Sequence, residues 1–354
     1  MTTKSTDRAI GKVNGQGRRR GLRRLAPALV LFLLAPLVAE VIFGSTPVSN
    51  IGALLPSIPL YGGGALLIRE LVHRRGGGWW RIALLGAAFA VVEEGLALQS
   101  MFDPALFGAG GLGGRWLGVN WVWTQWTVGY HVIWSISVPI LLAELLFPAR
   151  RHEAWLGRVG VSVVGALYAL GALALAAIFR LFVTPDFRAS AVLMIGAALL
   201  VCALVALALR WSSVPAVPAA STAGAPSPWL MGLISFASTA AWFGLLHLPE
   251  TLRSGAVVLA PMALEIILAA GVAALIRRWS ASRGWNDAHR LALAFGAILT
   301  STLYGVNFVT AGSPGNQIGE GVASAVTLAL LAFFVRHRHA EQKEGGARLW
   351  SNSR

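Results

Sequence analysis

Glu93, Glu94, His131 and His247 are carboxyl and imidazole groups placed inside or at the edge of long apolar runs. An ionisable group in hydrocarbon is costly, so it needs a partner or a function. A carboxyl group in low dielectric favours its neutral form and can carry a proton or act as a general base. Imidazole titrates near neutrality and binds metal through either ring nitrogen. The set therefore suits proton-coupled transport, activation of water for hydrolysis, or a divalent metal held by His and Glu; no other cofactor is expected. Glu93 or Glu94 would be the base, with His131 and His247 as partners.

Supporting polar residues recur at helical spacing. Thr124, Thr127, His131 and Ser135 form one stripe; Thr300, Tyr304 and Asn307 form a second; Glu320, Ser324 and Thr327 form a third. At about 1.5 Å rise per residue, Glu40, Glu93, Glu94, His131 and Glu265 fall at a similar level in the outer half of a bilayer. A shared wet pocket just below the outer surface is the expectation, with His247 and Glu250 at its mouth. Neighbouring helical residues point about 100° apart, so Glu93 and Glu94 are expected to take different partners. Glu144 and the Arg69, Glu70 pair fall near the inner interface, where snorkelling and local pairing are expected.

The elements that position these residues are membrane helices. The chain has 354 residues, 56% hydrophobic and 12% charged, with a mean hydropathy of +0.66. A soluble domain cannot hide that much apolar surface. Roughly 20 apolar residues cross a bilayer, which gives about ten spans: 25–44, 51–68, 80–100, 121–146, 156–179, 189–209, 229–248, 256–276, 291–310 and 318–335. The second is short and interrupted by Pro56, Pro59 and the Gly62-Gly63-Gly64 run, as in a broken or re-entrant helix. The fold class is all-α, a polytopic helix bundle.

The net charge of +14 is a topology signal rather than a mark of nucleic-acid binding. With the N-terminus inside, all but four of the 29 lysines and arginines (Arg115, Arg180, Arg188 and Arg253) fall on the cytoplasmic side, and both termini are cytoplasmic. Trp79 and Trp80 mark the inner interface; Trp116, Trp121 and Trp123 mark the outer one. The chain divides into a basic tail (1–24), about six spans (25–210), a Pro/Ala/Ser-rich linker (211–228), about four spans (229–335) and a polar tail (336–354). The basic N-tail attracts anionic lipid headgroups. The glycine-rich segment from Met101 to Asn120 follows no strand, so it is expected to be a flexible turn or outer lid rather than a phosphate cradle. Cys202, alone in an apolar run, excludes an intrachain disulfide and a cysteine zinc site. Alanine, glycine and arginine usage points to a bacterium of high genomic GC content, hence to its plasma membrane.

The stretches Ala35-Pro-Leu-Val-Ala-Glu40, Leu60-Tyr-Gly-Gly-Gly-Ala-Leu-Leu-Ile-Arg-Glu70, Val91-Val-Glu-Glu-Gly95 and Val119-Asn-Trp-Val-Trp123, continuing to His131, resemble an uncharacterised group of bacterial multi-pass membrane proteins. That resemblance covers residues 25 to about 155 and implies no activity. Glu93-Glu94 and Phe243-Gly-Leu-Leu-His247 are more faintly similar to two motifs of the CAAX-protease and bacteriocin-processing superfamily of intramembrane proteases. The arginine expected after the glutamates is absent, the two motifs stand too far apart, and the third has no clean counterpart. The similarity implies water activation by Glu93 or Glu94 and oxyanion stabilisation by His247 or His131. Three functions follow as expectations: an intramembrane hydrolase, a proton- or ion-coupled transporter using Glu94, His131 and Glu265, and a non-catalytic assembly factor in which these residues hold helices together.

Overall fold

The computed structural model describes residues 24–210, 224–253 and 255–351, and the side chains within them except at 253 and 336–351. The basic tail 1–23, most of the linker (211–223) and the side chains of the C-terminal tail lie outside the described residues. What is described is almost wholly helical, as hydrocarbon requires of a chain that must satisfy its own backbone groups. The helices are α1 (Arg24–Val41), α2 (Ser57–Arg74), α3 (Trp79–Ala90, continued by a π-helical turn, Val91–Ala97), α4 (Trp121–Leu146), α5 (Arg158–Val183), α6 (Ala191–Arg210), α7 (Pro228–His247), α8 (Gly255–Ser280), α9 (Asp287–Val309) and α10, whose membrane-length part is Pro314–Val335.

All of these except α2 and α3, eight in number, are long and apolar enough to cross a membrane. A ninth is counted if the bent pair Val48–Leu54 and Ser57–Arg74, at 65° to one another, is one span. The expected span at 80–100 also forms a helix, α3, but carries Arg81, Glu93 and Glu94.

The glycine run does not interrupt α2. The chain bends earlier, at Leu55-Pro56, and Gly62, Gly63 and Gly64 lie within a continuous helix. Each glycine meets a different neighbour. A Cβ on Gly62 would collide with the Phe32 carbonyl of α1; on Gly63 it would lie 3.1 Å from Tyr168 of α5; on Gly64 it would lie 2.6 Å from the Phe89 ring of α3. From the other side, Gly171 of α5 would place a Cβ 2.6 Å from the Leu60 nitrogen. Three missing side chains thus let three helices close on α2, the small-residue packing typical of membrane helices.

The centre of the bundle is α4. Of its apolar stretch 61% is buried, against 11% for α6 and α8, whose Val192, Leu199, Leu264 and Ile267 face outward. Trp123, Trp126, Tyr130 and Trp134 stack down α4 with ring centroids 5.2–5.4 Å apart. The indole of Trp134 donates to the Ala297 carbonyl of α9 at 2.8 Å, and that of Trp242 on α7 donates to the Trp126 carbonyl at 3.2 Å. Helices α7 and α9 pair closely through Gly296, Ser235 and the Thr239–Thr300 hydrogen bond of 2.8 Å.

The segment from Met101 to Asn120 is a tied cap rather than a flexible lid. It folds into a 3-10 segment (Leu106–Leu112) and a small antiparallel hairpin, β1 (Arg115–Trp116) with β2 (Val119–Asn120). Arg115 donates to the side chain of Asn120 and to the Phe102 carbonyl at 2.7 Å, while Asn120 donates to the Asp103 carbonyl at 2.9 Å. A guanidinium with several carbonyl acceptors in a glycine-rich loop fixes a shape that composition alone does not reveal.

The close crossing of α2 and α5 gives a direct test. Gly171→Val is expected to destabilise the protein by about 1–3 kcal/mol through overpacking. Gly196→Ala, which points into open space, is expected to be neutral or mildly stabilising. Thermal unfolding in detergent separates the two, and equal effects would contradict the crossing.

Candidate functional site

Five helices of the bundle carry π-helical turns among the described residues, including Phe179–Val183 on α5 and Gly305–Val309 on α9, and three of these turns hold the ionisable groups: Leu37–Val41 on α1, Val91–Ala97 on α3 and His131–Ser137 on α4. They carry Glu40, then Glu93 and Glu94, then His131 and Ser135. A π turn adds a residue to the helical circuit and is found mostly at functional positions. Here it also reduces the angle between neighbouring side chains.

That reduction corrects the expectation that Glu93 and Glu94 take separate partners. Both reach His131. Its Nε2 lies 3.1 Å from Glu94 Oε1, and its Nδ1 lies 3.4 Å from Glu93 Oε2. The imidazole sits between two carboxyl groups, one at each nitrogen. Glu93, Glu94 and His131 are 2%, 7% and 2% exposed.

Each member is held by a further polar group. Ser135, one turn along α4, places Oγ 2.9 Å from His131 Nδ1. Tyr61 of α2 donates its hydroxyl to Glu93 Oε1 at 2.5 Å. Ser100 donates to Glu94 Oε2 and accepts from the Trp123 indole at 3.0 Å. Gln99 ends α3 in the left-handed region (φ 62°), which turns the chain so that Ser100 faces back toward Glu94. The cap joins the centre here, because Asn120 donates to the Ser100 carbonyl at 3.3 Å. A continuous polar chain thus runs from Trp123 through Ser100, Glu94, His131 and Glu93 to Tyr61.

Glu40 borders this chain. It accepts from Ser45 at 2.8 Å and Thr46 at 2.9 Å, and it lies within electrostatic reach of Tyr61, Glu93 and His131. The Tyr130 hydroxyl donates at 2.6 Å to the Ala39 carbonyl, inside the π turn of α1. Backbone that a π turn leaves irregular is tolerated at membrane depth only when protein satisfies it.

Other expected site residues lie apart. His247 does not meet the glutamates: its Nε2 is 3.1 Å from the Tyr304 hydroxyl and its ring packs on Phe308. Asn307 is exposed and donates to the Leu303 carbonyl of its own helix at 2.7 Å, so the stripe it was expected to share with Tyr304 does not face one cavity. Glu265 pairs with Gln125 of α4 at 3.3 Å, and its Oε1 is buried without a hydrogen bond among the described residues. Glu320 accepts from Thr310 at 3.1 Å and fills the space left by Gly44 and Gly305, again with Oε1 unpartnered among the described residues. Glu265, expected in the shared pocket, and Glu320, expected on a supporting stripe, therefore lie at two places apart from Glu93 and Glu94.

Tyr61, Ser100 and Trp123 are site residues that the sequence reading missed. Tyr61 precedes the Gly62-Gly63-Gly64 run, whose breaker composition hides that it lies within a continuous helix. Ser100 is six residues from Glu94 and reaches it only because α3 widens and then turns back. No group of three or more His, Cys, Asp or Glu among the described residues is arranged to hold a metal ion. In the acid–imidazole–acid centre both ring nitrogens already face carboxylates.

The centre also differs from the buried ionic cluster at the opposite end of α2. There Arg69, fully buried rather than snorkelling, donates to Glu144 at 3.1 Å and to the carbonyls of Arg151 and Glu153, and stacks 3.3 Å from the Trp155 ring. Glu70 accepts the Trp155 and Leu156 amides at 2.6 and 3.2 Å.

Removing the shared imidazole strands two buried carboxyl groups. His131→Leu is expected to cost about 3–5 kcal/mol, the range for breaking a buried ion pair. Ser135→Ala is expected to cost no more than about 1.5 kcal/mol, the value of one hydrogen bond. Unfolding in detergent measures both, and a His131→Leu protein as stable as Ser135→Ala would contradict the shared contact.

No match is found among curated proteins or solved structures. A family model described as an uncharacterized membrane protein family matches residues 29–340. That match spans most of the chain, including every helix that builds the centre, so the protein belongs to this uncharacterised family of multi-pass membrane proteins.

Proposed function

We propose that this protein is a proton-coupled transporter of a bacterial plasma membrane, with the acid–imidazole–acid centre as its proton site. The observation that carries this reading is one imidazole bridging two carboxyl groups, all three buried. With both carboxylates ionised and the imidazole protonated, the centre has one net negative charge. One more proton makes it neutral. Low dielectric penalises a net charge strongly, so loading that proton changes the free energy of whatever conformation surrounds it. The hydroxyl, carboxyl and imidazole groups from Ser100 to Tyr61 are of types that can pass a proton on.

The hydrolase reading fits the geometry less well. A general base needs a water and a scissile bond within hydrogen-bonding reach. Glu93 Oε1 and both oxygens of Glu94 are instead engaged by Tyr61, Ser100 and His131, Glu93 Oε2 has no hydrogen bond among the described residues but faces the His131 ring at 3.4 Å, and the second imidazole, His247, is held by Tyr304. The assembly-factor reading accounts for the contacts but not for an acid excess beside three π turns.

Proteoliposomes test the proposal. An inward proton gradient is expected to drive accumulation of a solute from a mixed metabolite pool, read by mass spectrometry. Glu93→Gln is expected to lower accumulation at least tenfold while solute exchange without a gradient continues. Gradient-independent uptake in the wild type, or cleavage of membrane peptides that Glu93→Gln abolishes, would overturn it.

A further inference from the structure

A cavity of about 390 Å³ opens at the end of the bundle opposite the cap. Six elements wall it: the end of α2 (Val72, His73), the Gly76-Gly77-Gly78 turn, the start of α3 (Trp79, Ile82), the end of α4 (Leu141, Glu144, Leu145), the turn after it (Arg151, His152) and the start of α9 (Arg290). The three glycines all have positive φ (89°, 76° and 121°), which keeps this wall free of side chains. The volume is that of a small-molecule site.

The lining has two characters. Val72, Ile82, Leu141 and Leu145 form an apolar wall, and His73, Glu144, Arg151, His152 and Arg290 supply polar groups of both signs. Arg151 and Arg290 converge on Asp287 at 2.8 and 3.2 Å, so two guanidiniums share one carboxylate and keep donors to spare. Glu144 accepts from Arg69 and His73 on the same oxygen, Oε1, and its Oε2 accepts no hydrogen bond among the described residues. A purely anionic ligand would meet Glu144, and a purely cationic one would meet the arginines. A ligand carrying a phosphate and an ammonium fits both. Trp79 and Trp80, 48% and 50% exposed beside the opening, are the residues that settle at the headgroup level of a bilayer.

We infer that this cavity binds the headgroup of an aminophospholipid, with the phosphate on Arg151 and Arg290, the ammonium on Glu144, and the glycerol end along the apolar wall. The membrane is the source of choice because the apolar wall and the tryptophan pair have no use for a soluble zwitterion.

Native mass spectrometry of the full chain tests it, with phosphatidylethanolamine, phosphatidylglycerol and phosphatidylcholine of equal acyl chains as probes. The ethanolamine lipid is expected to be retained at least fivefold more than either of the others. Arg290→Gln with His152→Ala, both at accessible positions, is expected to lower retention of all three lipids at least fivefold, and Glu144→Gln to lower the ethanolamine lipid to the level of the other two. Free phosphoethanolamine in excess is expected to displace the lipid only weakly. Equal retention of the three lipids, retention unchanged in the double variant, a preference unchanged in Glu144→Gln, or tighter binding of free phosphoethanolamine than of the lipid would overturn the inference. If the double variant unfolds, Arg290→Gln alone gives the same reading.

Discussion

A single imidazole held between two carboxyl groups in low dielectric is the interaction on which the rest of this molecule depends. Such a contact, with the Tyr61 hydroxyl on Glu93, needs the backbones of α2, α3 and α4 to approach closely, and each approach has its own device. Gly64 lets α2 settle on Phe89, and Gly86 lets α3 cross beside Val132 of the His131 helix. The π turns of α3 and α4 then aim Glu93, Glu94 and His131 at one another. The stacked tryptophans and Tyr130 fix the rotation of α4 from its other side. Positioning is thus shared between missing side chains and large ones.

The protein keeps two buried ionic clusters of different character on the same helices. Arg69, with Glu70 and Glu144, has a permanent cation, several carbonyl acceptors and an aromatic face, and it serves as a fixed joint. The other cluster has two acids, one titratable base and a third acid, Glu40, at its border. The second is bridged by a titratable imidazole, where the first is bridged by a guanidinium that stays charged. The helices α2, α3 and α4 join the two ends: Tyr61 and His73, Glu93 and Trp79, His131 and Glu144 are each separated by roughly 20 Å of helix. A rigid-body shift of these three helices would therefore be felt at the centre and at the cavity together.

How much of this could be read from sequence follows from which forces act locally. Membrane helices and their approximate ends were legible because hydropathy and the 1.5 Å rise act residue by residue. The level shared by Glu40, Glu93, Glu94 and His131 followed from the same ruler, and so did the inward face of the Thr127, His131, Ser135 stripe. The convergence of Glu93 and Glu94 was hidden, since 3.6-residue periodicity assigns them different faces and π turns leave no composition signal. The glycine run has a breaker's composition, and its role of admitting Phe32, Tyr168 and Phe89 depends on neighbours that local sequence does not show. Glu265 and His247 lie on helices whose packing partners, Gln125 and Tyr304, only the tertiary arrangement supplies.

The most direct measurement is solid-state NMR dipolar recoupling between histidine ring nitrogens and glutamate carboxyl carbons in protein reconstituted in lipid. Comparison with Glu93→Gln and Glu94→Gln assigns each coupling. Two couplings to the His131 ring are predicted, one at Nδ1 from Glu93 and one at Nε2 from Glu94. A His131 ring coupled to neither carboxyl carbon, or to one alone at both nitrogens, would contradict the account.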